Sequence, residues 1–419
     1  MPETALAASI AEAAARLRAR QTSCVELAQA FLARIPELQP KLNAFITVTA
    51  EHALAVARER DVELKSGRDR GLLHGIPIAH KDCFDTAGIL TTVGAEIFRH
   101  RVPQSDAAVV ERLAAAGAVM LGKTHMNEFA AGMSGRNAFF GDAHNPRDAS
   151  RAAGGSSSGS ACAVAARMCL GASGSDAGGS IRLPAAWTGI VGLRPTHGAV
   201  STAGVFPRSF SFDCVGPLAR SVADTIVLFE AMVGYKIEPQ PRDLRGVRLG
   251  VIGDVNSDVF VQLGAETREI DLPPFEPRIF FDILLYEFHQ ILGKEPDRRF
   301  GPVVRANLER GAKISTEEYR AALAERNNFA VSMNQIFVKL DALITPTAPM
   351  AALALDAPEP DFDRAREFTL PFSLAGLPAI SVPCGLDRGG LPLGMQIVGE
   401  RGGDSMVLRI AAAYESAMR

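Results

Sequence analysis

The sequence predicts an α/β fold in which a large, twisted, mixed β-sheet is covered by helices on both faces. Segments with helical periodicity alternate with short apolar runs along the chain, which is typical of layered α/β proteins. The chain has 419 residues, 47% of them hydrophobic, which is enough to bury a large core. No repeat and no convincing linker divides it. We therefore expect one domain over 1–419, with a helical N-terminal region of about 1–40 packed on it.

The first elements alternate between helices and strands. Residues 4–19 have a helical pattern, and Ser23 with Glu26 forms a capping-box pattern that begins a second helix extending to about Ile35. The elements expected after it are a strand at Phe45–Val48, a helix at 51–65, a strand at 75–80 that leads into Lys81, a helix at Asp106–Ala116 and a strand at Ala118–Leu121.

Further apolar runs predict strands in the second half of the chain, at Val247–Ile252, Glu266–Ile270, Ala342–Ile344, Ala379–Val382 and Met395–Val398. The first two are joined by GDVNSDVFVQLGA, which is barely the minimum of about 10–12 residues for a crossover that contains a helix. We therefore expect either that a segment is absent between about Gly253 and Val259 or that a short loop without a crossover joins the two strands.

Composition and charge exclude several functional classes. Lys and Arg number 44 and Asp and Glu number 47, so the net charge of -3 offers no broad positive surface for nucleic acid or an anionic membrane. The N-terminus lacks the pattern of a secretory signal and no run of about 18 apolar residues occurs, so we expect a cytoplasmic protein. The six cysteines form no C-x-x-C pair and have no histidine at ligand spacing, which favours reduced thiols over a metal site.

Glycine and serine dominate residues 152–192, yet apolar residues continue through the stretch, which argues against a flexible linker. Gly154–Ala161 places hydroxyls and bare backbone just before a helix N-terminus, where negative charge is favoured. Gly174–Arg182 offers successive backbone N–H groups before Ser180. Such groups could converge on one oxygen, as an oxyanion hole requires.

These motifs resemble the signature of the amidase signature family, which runs from GGSS through GSDxGGSIRxPA to GLRPTxG. Here the three stretches are Gly154–Ala161, Gly174–Ala185 and Gly192–Gly198. The family's catalytic lysine lies in a G-x-P-x-x-x-K-D context, which residues 75–82 match, and the intervals from Lys81 to the two signature serines also fit. The resemblance extends from about residue 23 to the C-terminus and includes the GLPAISVP stretch at 376–383.

The resemblance implies an amidohydrolase that cleaves a linear carboxylic amide through an acyl-serine intermediate and releases ammonia or an amine, without a metal or cofactor. It implies that Ser180 is the nucleophile, Ser156 the proton relay and Lys81 the base, with a cis peptide bond between Gly155 and Ser156. The implied oxyanion hole consists of the backbone N–H groups of Ala177, Gly178, Gly179 and Ser180. The expected partner is a small-molecule amide, not nucleic acid or a membrane, and we consider a homodimer as the assembly.

Residues near the signature carry weaker expectations. Ala177 stands where threonine is commonest in the family, so the N–H is kept but any hydroxyl contact is lost. Asp176 and Arg182 are expected to orient the loop as a buried ion pair and not to contact substrate. For Ser157, a role beside the catalytic residues and a role at the helix start are equally open. We attach no function to Ser158, which stands where glycine is more frequent.

Two other functions remain open. The family includes one component of a tRNA-dependent amidotransferase, its A subunit, which releases ammonia from glutamine. Residues 303–311, however, resemble stand-alone amidases more than the stretch that binds glutamine in that component. A catalytically inactive scaffold of the same fold is the third possibility. The intact set of Lys81, Ser156 and Ser180 argues against it.

Two further patterns do not point to a site. Residues 117–124 match the phosphate-loop expression G-x-x-x-x-G-K-T, but the four variable residues are themselves an apolar strand that follows a helix, so we reject nucleotide binding. The eight histidines form no spaced cluster. We expect His80, His125 and His144 to be hydrogen-bonded or surface residues, although the last two lie in loops that could line the substrate cleft.

Overall fold

The computed structural model describes residues 6–237, 243–296 and 299–418. Within these ranges, most of the strands form one large sheet and the helices pack against it. The strands are β1 (Phe45–Val48), β2 (Pro77–Lys81), β3 (Val119–Thr124), β4 (His144–Asn145), β5 (Asp148–Ala152), β6 (Gly171–Asp176), β7 (Val191–Arg194), β8 (Cys214–Ala219), β9 (Arg248–Val251), β10 (Glu266–Glu269), β11 (Ala342–Pro346), β12 (Ala379–Leu386) and β13 (Pro392–Val398).

The helices alternate with these strands along the chain. They are α1 (Ile10–Arg18), α2 (Cys24–Leu42), α3 (Ala50–Lys65), α4 (Ala108–Ala115), α5 (Ser158–Ala165), α6 (Arg182–Thr188), α7 (Val222–Val233), α8 (Asp258–Gln262), α9 (Pro277–Leu292), α10 (Pro302–Gly311), α11 (Thr316–Ile336), α12 (Glu359–Arg364), α13 (Leu370–Leu374) and α14 (Asp404–Ala417). None of the described helices is long and apolar enough to cross a membrane.

The main sheet has 11 strands in the order β1-β3-β2-β6-β8-β7-β12-β13-β11-β9-β10, and β4 pairs with β5 in a separate ribbon. It is mixed, because β2 pairs in parallel with both β3 and β6, whereas β6 and β8 are antiparallel. The predicted α/β fold on a large mixed sheet is therefore confirmed. That residues 1–419 form one domain stays a prediction.

The N-terminal helices differ from the expected ones mainly in length. The first helix begins only at Ile10, where the Ser9 side chain caps it, although the sequence pattern begins at residue 4; residues 4 and 5 lie outside the described residues. The capping box of Ser23 and Glu26 is present. The second helix continues beyond Ile35 to Leu42 and includes prolines at positions 36 and 40.

The connection between β9 and β10 corrects one expectation. The two strands pair in parallel, so the chain must cross over between them, and the prediction of a short loop without a crossover is wrong. The chain is continuous from β9 to β10, and the crossover contains the five residues of α8, which also counts against the expected absent segment. Its buried Phe260 stacks on Tyr414 of α14 at a centroid distance of 5.3 Å, which fixes the short helix on the fold.

Three central strands, β6, β7 and β8, were not predicted. β6 has the sequence GASGSD, which is poor in the β-branched and aromatic residues that favour strands. It forms because β2 and β8 pair with it on either side and all six of its residues are buried. His80 of β2 lies opposite Ser173 of β6, so Lys81, which ends β2, lies beside the second half of β6.

Candidate active site

Lys81, the last residue of β2, lies at the centre of the site. Its side chain is fully buried, and Nζ donates to Ser156 Oγ at 2.7 Å and to Ser175 Oγ at 2.8 Å. Burial lowers the pKa of Lys81 to about 8, although the charges of Cys83, Asp213 and Asp176 act in the opposite direction. A substantial fraction of this amine is therefore neutral near physiological pH, as a general base must be.

Ser156 is positioned by the loop that leads into α5. The peptide bond between Gly155 and Ser156 is cis, as the family resemblance implies. A Cβ atom on Gly155 would lie 2.1 Å from Asn127 Oδ1, so only glycine fits there. Ser157 fastens the same loop to β6, because its Oγ donates to the Ser175 carbonyl at 3.1 Å and accepts from the Ser175 N–H at 3.3 Å. Its side chain does not cap α5, which favours the role beside the catalytic residues.

Ser180 lies in the loop between β6 and α6. Its side chain is 6% exposed, and the Ser180 carbonyl accepts the N–H of Ser157 at 3.1 Å, which ties the two serine loops together. Ser180 Oγ donates to Met133 Sδ at 3.8 Å, a weak contact. The structure thus brings Lys81 into direct contact with Ser156, whereas no hydrogen bond links Ser156 to Ser180 among the described residues.

The four expected oxyanion-hole donors differ in their hydrogen bonding. The N–H of Gly179 donates to Asp176 Oδ1 at 2.7 Å, so it has an acceptor within the loop. The N–H groups of Ala177, Gly178 and Ser180 have no acceptor within the described parts of the chain. Thr369 Oγ1 donates to the Gly178 carbonyl at 2.9 Å and so holds the peptide that precedes Gly179. Three of the four expected donors therefore remain available.

Asp176 holds the conformation of this loop by accepting hydrogen bonds. Its carboxylate accepts from the N–H groups of Gly179 and Ile181 and from Arg182 Nε at 3.0 Å and Nη2 at 3.1 Å, and Arg194 Nη1 lies 3.4 Å from Oδ1. All three charged side chains are fully buried. Burial alone would raise the pKa of Asp176, but the two guanidinium groups outweigh it and hold that pKa well below its usual range. The geometry agrees with the expected loop-orienting ion pair and adds a second arginine to it.

Replacing Asp176 with asparagine should lower the free energy of unfolding by about 3–5 kcal/mol, because two buried guanidinium groups would lose the carboxylate that they share. Urea unfolding followed by the fluorescence of Trp187, the only tryptophan, checks this. Trp187 is buried in α6, directly after the loop. As the control, Asp243→Asn removes an exposed partner of Arg245 and should hardly move the midpoint. Equal midpoints for the two variants would contradict this role of Asp176.

A cavity of about 310 Å³ opens onto Ser180. Met133, Ala177 and Gly178 line it beside the nucleophile, and α9 contributes an apolar wall that includes Phe280 and Leu284. Helix α10 lines the far side with Val303, Ala306, Asn307 and Arg310. A carboxamide bound here would have its carbonyl next to the unpaired N–H groups and the rest of the molecule against hydrocarbon.

The three histidines and the lysine for which the sequence predicted no site are hydrogen-bonded in the structure. His80 Nδ1 lies 3.0 Å from Ser173 Oγ, and His125 is hydrogen-bonded through both ring nitrogens, to Ser158 Oγ and to the Gly141 carbonyl. His144 Nδ1 lies 2.8 Å from the Ala149 carbonyl. Lys123 of the phosphate-loop-like stretch is buried on β3 and donates to the Phe84 carbonyl and to Thr86 and Thr91, so it is not available to a phosphate.

Sequence reasoning missed Ser175 and Met133. Ser175 shares the Lys81 amine with Ser156, and Met133 contacts the nucleophile. A prediction of residues 171–176 as a strand beside β2 would have brought Ser175 close to Lys81. No local pattern marks Met133, which comes from a loop between β3 and β4.

Comparisons with known proteins identify related sequences and structures. The sequence profile of the amidase family matches residues 26–248 and 262–408. The chain is 37% identical to the A subunit of glutamyl-tRNA(Gln) amidotransferase from a Cyanothece species, over an alignment of 473 positions that covers 98% of each protein. Since this alignment is longer than the chain, the relative has segments without a counterpart here. The profile match is interrupted at residues 249–261, where the compact β9–α8 crossover lies.

Two solved structures are similar over nearly their whole length. One is described as an amidase and superposes with a TM-score of 0.88 at 34% identity, covering 97% of this chain and 99% of that one. The other is the A subunit of glutamyl-tRNA(Gln) amidotransferase from Thermotoga maritima, with a TM-score of 0.77 at 31% identity and 95% coverage of both chains.

Proposed function

The chain belongs to the amidase family and is an enzyme that hydrolyses amide carbon–nitrogen bonds, and on that premise we propose that it forms an acyl-enzyme on Ser180 with Lys81 as the base and Ser156 as the relay. The observation that carries this proposal is the 2.7 Å contact between Lys81 Nζ and Ser156 Oγ. A buried amine with a lowered pKa has a hydroxyl in direct reach, in the loop that touches the nucleophile's own backbone.

In the proposed reaction, neutral Lys81 takes the proton of Ser156 while Ser156 takes that of Ser180, and Ser180 Oγ attacks the amide carbonyl. The resulting oxyanion is held by the free N–H groups of Ala177 and Gly178, with Ser180 as a third donor. The proton then returns through Ser156 to the leaving nitrogen, the carbon–nitrogen bond breaks, and ammonia or an amine departs. Water cleaves the acyl-serine ester by the same proton path in reverse.

Ser180 has to change its side-chain conformation during this cycle. Its hydroxyl faces Met133 Sδ, and a sulfur contact at 3.8 Å is weak, so turning Oγ towards Ser156 gives up little. Ser175 Oγ accepts a second hydrogen bond from Lys81 Nζ at 2.8 Å, which keeps the amine oriented towards Ser156 during the cycle. We therefore assign Ser175 as a positioning residue.

The amidotransferase activity of the sequence relatives is the second candidate, because the Cyanothece relative is 37% identical over nearly the whole chain. The cavity favours a stand-alone amidase. Glutamine carries an ammonium group, and the carboxylates that line the cavity, Glu359 and Asp363, are each paired with an arginine, Arg136 and Arg366. No unpaired carboxylate of the described residues is left in the cavity lining to receive the ammonium group.

Ammonia release by the purified chain alone tests the choice between the two candidates. The substrates are simple aliphatic, aromatic and ureido amides and glutamine, each followed at several concentrations. We expect kcat/KM for the best simple amide to exceed that for glutamine by at least about tenfold, since a cavity without an ammonium partner leaves that charge unpaired. Glutamine as the best substrate would favour the amidotransferase component, and no release from any amide would favour the inactive scaffold.

We keep three further expectations as proposals: that the protein works in the cytoplasm, that it needs neither a metal nor a cofactor, and that it forms a homodimer. Size-exclusion chromatography with light scattering tests the homodimer. Nucleic acid is not expected to bind, because the net charge is -3.

A further inference from the structure

One buried cation of the substrate cavity forms no ion pair and no side-chain hydrogen bond among the described residues, although the charge of Asp213 is near enough to act on it. Arg208 lines the cavity together with Ser180, yet its side chain is only 6% exposed. Its Nη1 is buried and has no hydrogen-bond partner in the described part of the chain. The guanidinium lies over the ring of Phe288, with 3.7 Å between Cζ and the ring centroid. Burying such a group without a partner is costly, which makes a ligand contact the natural explanation.

Other arginines also have a buried nitrogen without a partner, so the orphaned atom alone would mean little. Most of those arginines use another guanidinium nitrogen: Arg194 bonds to Asp176, Arg366 to Asp363 and Arg167 to the Leu6 carbonyl. Arg151 forms an ion pair with Asp148. Arg208 forms no side-chain hydrogen bond and no ion pair within the described parts of the chain. Arg208 therefore has an unpaired guanidinium and also lines the cavity that contains Ser180.

The backbone holds Arg208 in place. Its N–H and that of Ser209 donate to Asp213 Oδ2 at 2.7 and 3.0 Å, so the carboxylate nearest in sequence is used by the main chain of this loop. Burial lowers the pKa of the Arg208 guanidinium to about 9, so the side chain remains a cation at neutral pH. The cavity therefore offers a preorganised positive charge beside an apolar wall.

We propose that Arg208 binds a carboxylate of the substrate that is joined to the scissile amide through an apolar stem. The stem would lie against Phe280 and Leu284, and the carboxylate would accept hydrogen bonds from the Arg208 guanidinium. The paired state of Glu359 and Asp363 fits an anionic substrate and not a zwitterionic one. This inference rests on the proposed acylation of Ser180.

Two matched serine-directed reagents test it without knowledge of the natural substrate. Both are alkyl fluorophosphonates, one with a terminal carboxylate and one with a terminal methyl group, used over a short series of equal chain lengths. In each, Ser180 Oγ forms a bond to phosphorus, fluoride leaves and the proton passes to Lys81. The second-order rate of labelling, followed by mass spectrometry, measures how well each chain is bound near Ser180.

At the best chain length, the carboxylate reagent should label the wild-type protein on the order of 10–100-fold faster than the methyl reagent, as a charge-assisted hydrogen bond in a buried site allows. Arg208→Leu should bring this ratio close to one, and Arg208→Lys should retain part of it because the charge remains. The matched control is Arg388→Leu, which removes an exposed charge outside the cavity and should leave the ratio within about threefold of the wild-type value.

A wild-type ratio of one or below at every chain length would overturn the inference, and so would a ratio that persists in Arg208→Leu with native Trp187 fluorescence. Labelling without preference would leave the proposed function standing. No labelling of Ser180 by either reagent would overturn the proposed function and this inference together.

Discussion

Replacing Ser180 with alanine should lower kcat/KM by roughly 10⁴–10⁶-fold, because the hydroxyl supplies the covalent step and no other side chain can form the same intermediate. The fold should be unaffected. The hydroxyl donates only to Met133 Sδ at 3.8 Å among the described residues, so its removal breaks no strong bond. Steady-state hydrolysis of the best amide measures the loss, and the fluorescence of Trp187 reports the fold.

Ser158→Ala is the matched control for Ser180→Ala. Ser158 is also a buried serine of the Gly/Ser stretch, but its Oγ lies 3.0 Å from His125 Nδ1, away from the proposed proton path. We expect a loss of less than about tenfold in kcat/KM for this variant, since no reacting group is removed. A Ser180 variant that kept more than about a tenth of the wild-type rate would remove Ser180 from the role of nucleophile.

Replacing Lys81 with arginine should lower kcat/KM by at least about 10³-fold at every pH up to 9, because a guanidinium keeps the positive charge but cannot act as a base. In the wild-type protein, kcat/KM should rise about tenfold per pH unit below pH 8 and then level off, because burial lowers the pKa of Lys81 to about 8 and only the neutral amine is active. The measurement is the pH profile of kcat/KM for both proteins, with Trp187 fluorescence recorded over the same range.

The same titration affects stability in a definite direction. The pKa of Lys81 in the folded protein lies below its ordinary value of 10.5, so the protonated amine is disfavoured by folding. The resulting loss in the free energy of unfolding is complete below about pH 8 and disappears as the pH rises towards 10.5.

If Lys81→Arg kept substantial activity with the wild-type pH profile, Lys81 would be an electrostatic or structural residue and the base would have to be sought elsewhere.

The sequence was sufficient to single out Lys81, Ser156 and Ser180 as candidates, because each lies in a short motif whose residues are neighbours in the chain. It could not locate Ser175 as the second partner of the lysine. That contact depends on the pairing of β2 with β6, and the Gly/Ser composition of β6 conceals the strand. The neighbours of β6 in the sheet override its low intrinsic preference for the extended conformation.

The oxyanion hole shows a different limit. A run of glycines before a serine suggested four converging N–H groups, but the direction of the Gly179 N–H is set by the Asp176 carboxylate. That carboxylate is itself held by Arg182 and by Arg194 of β7, a strand the sequence did not predict. Arg208 was missed for a similar reason, since nothing in its local sequence separates a buried cation from a surface one.

The central claim is that the amide's acyl group is transferred to Ser180. Rapid mixing of the protein with an amide substrate, acid quenching within the first turnover and intact mass measurement test it directly, with peptide mapping to find the modified residue. We predict a mass increase equal to the acyl group, located on the peptide that contains Ser180 and absent from Ser180→Ala. An adduct on a residue other than Ser180, or the same adduct in Ser180→Ala, would contradict the account.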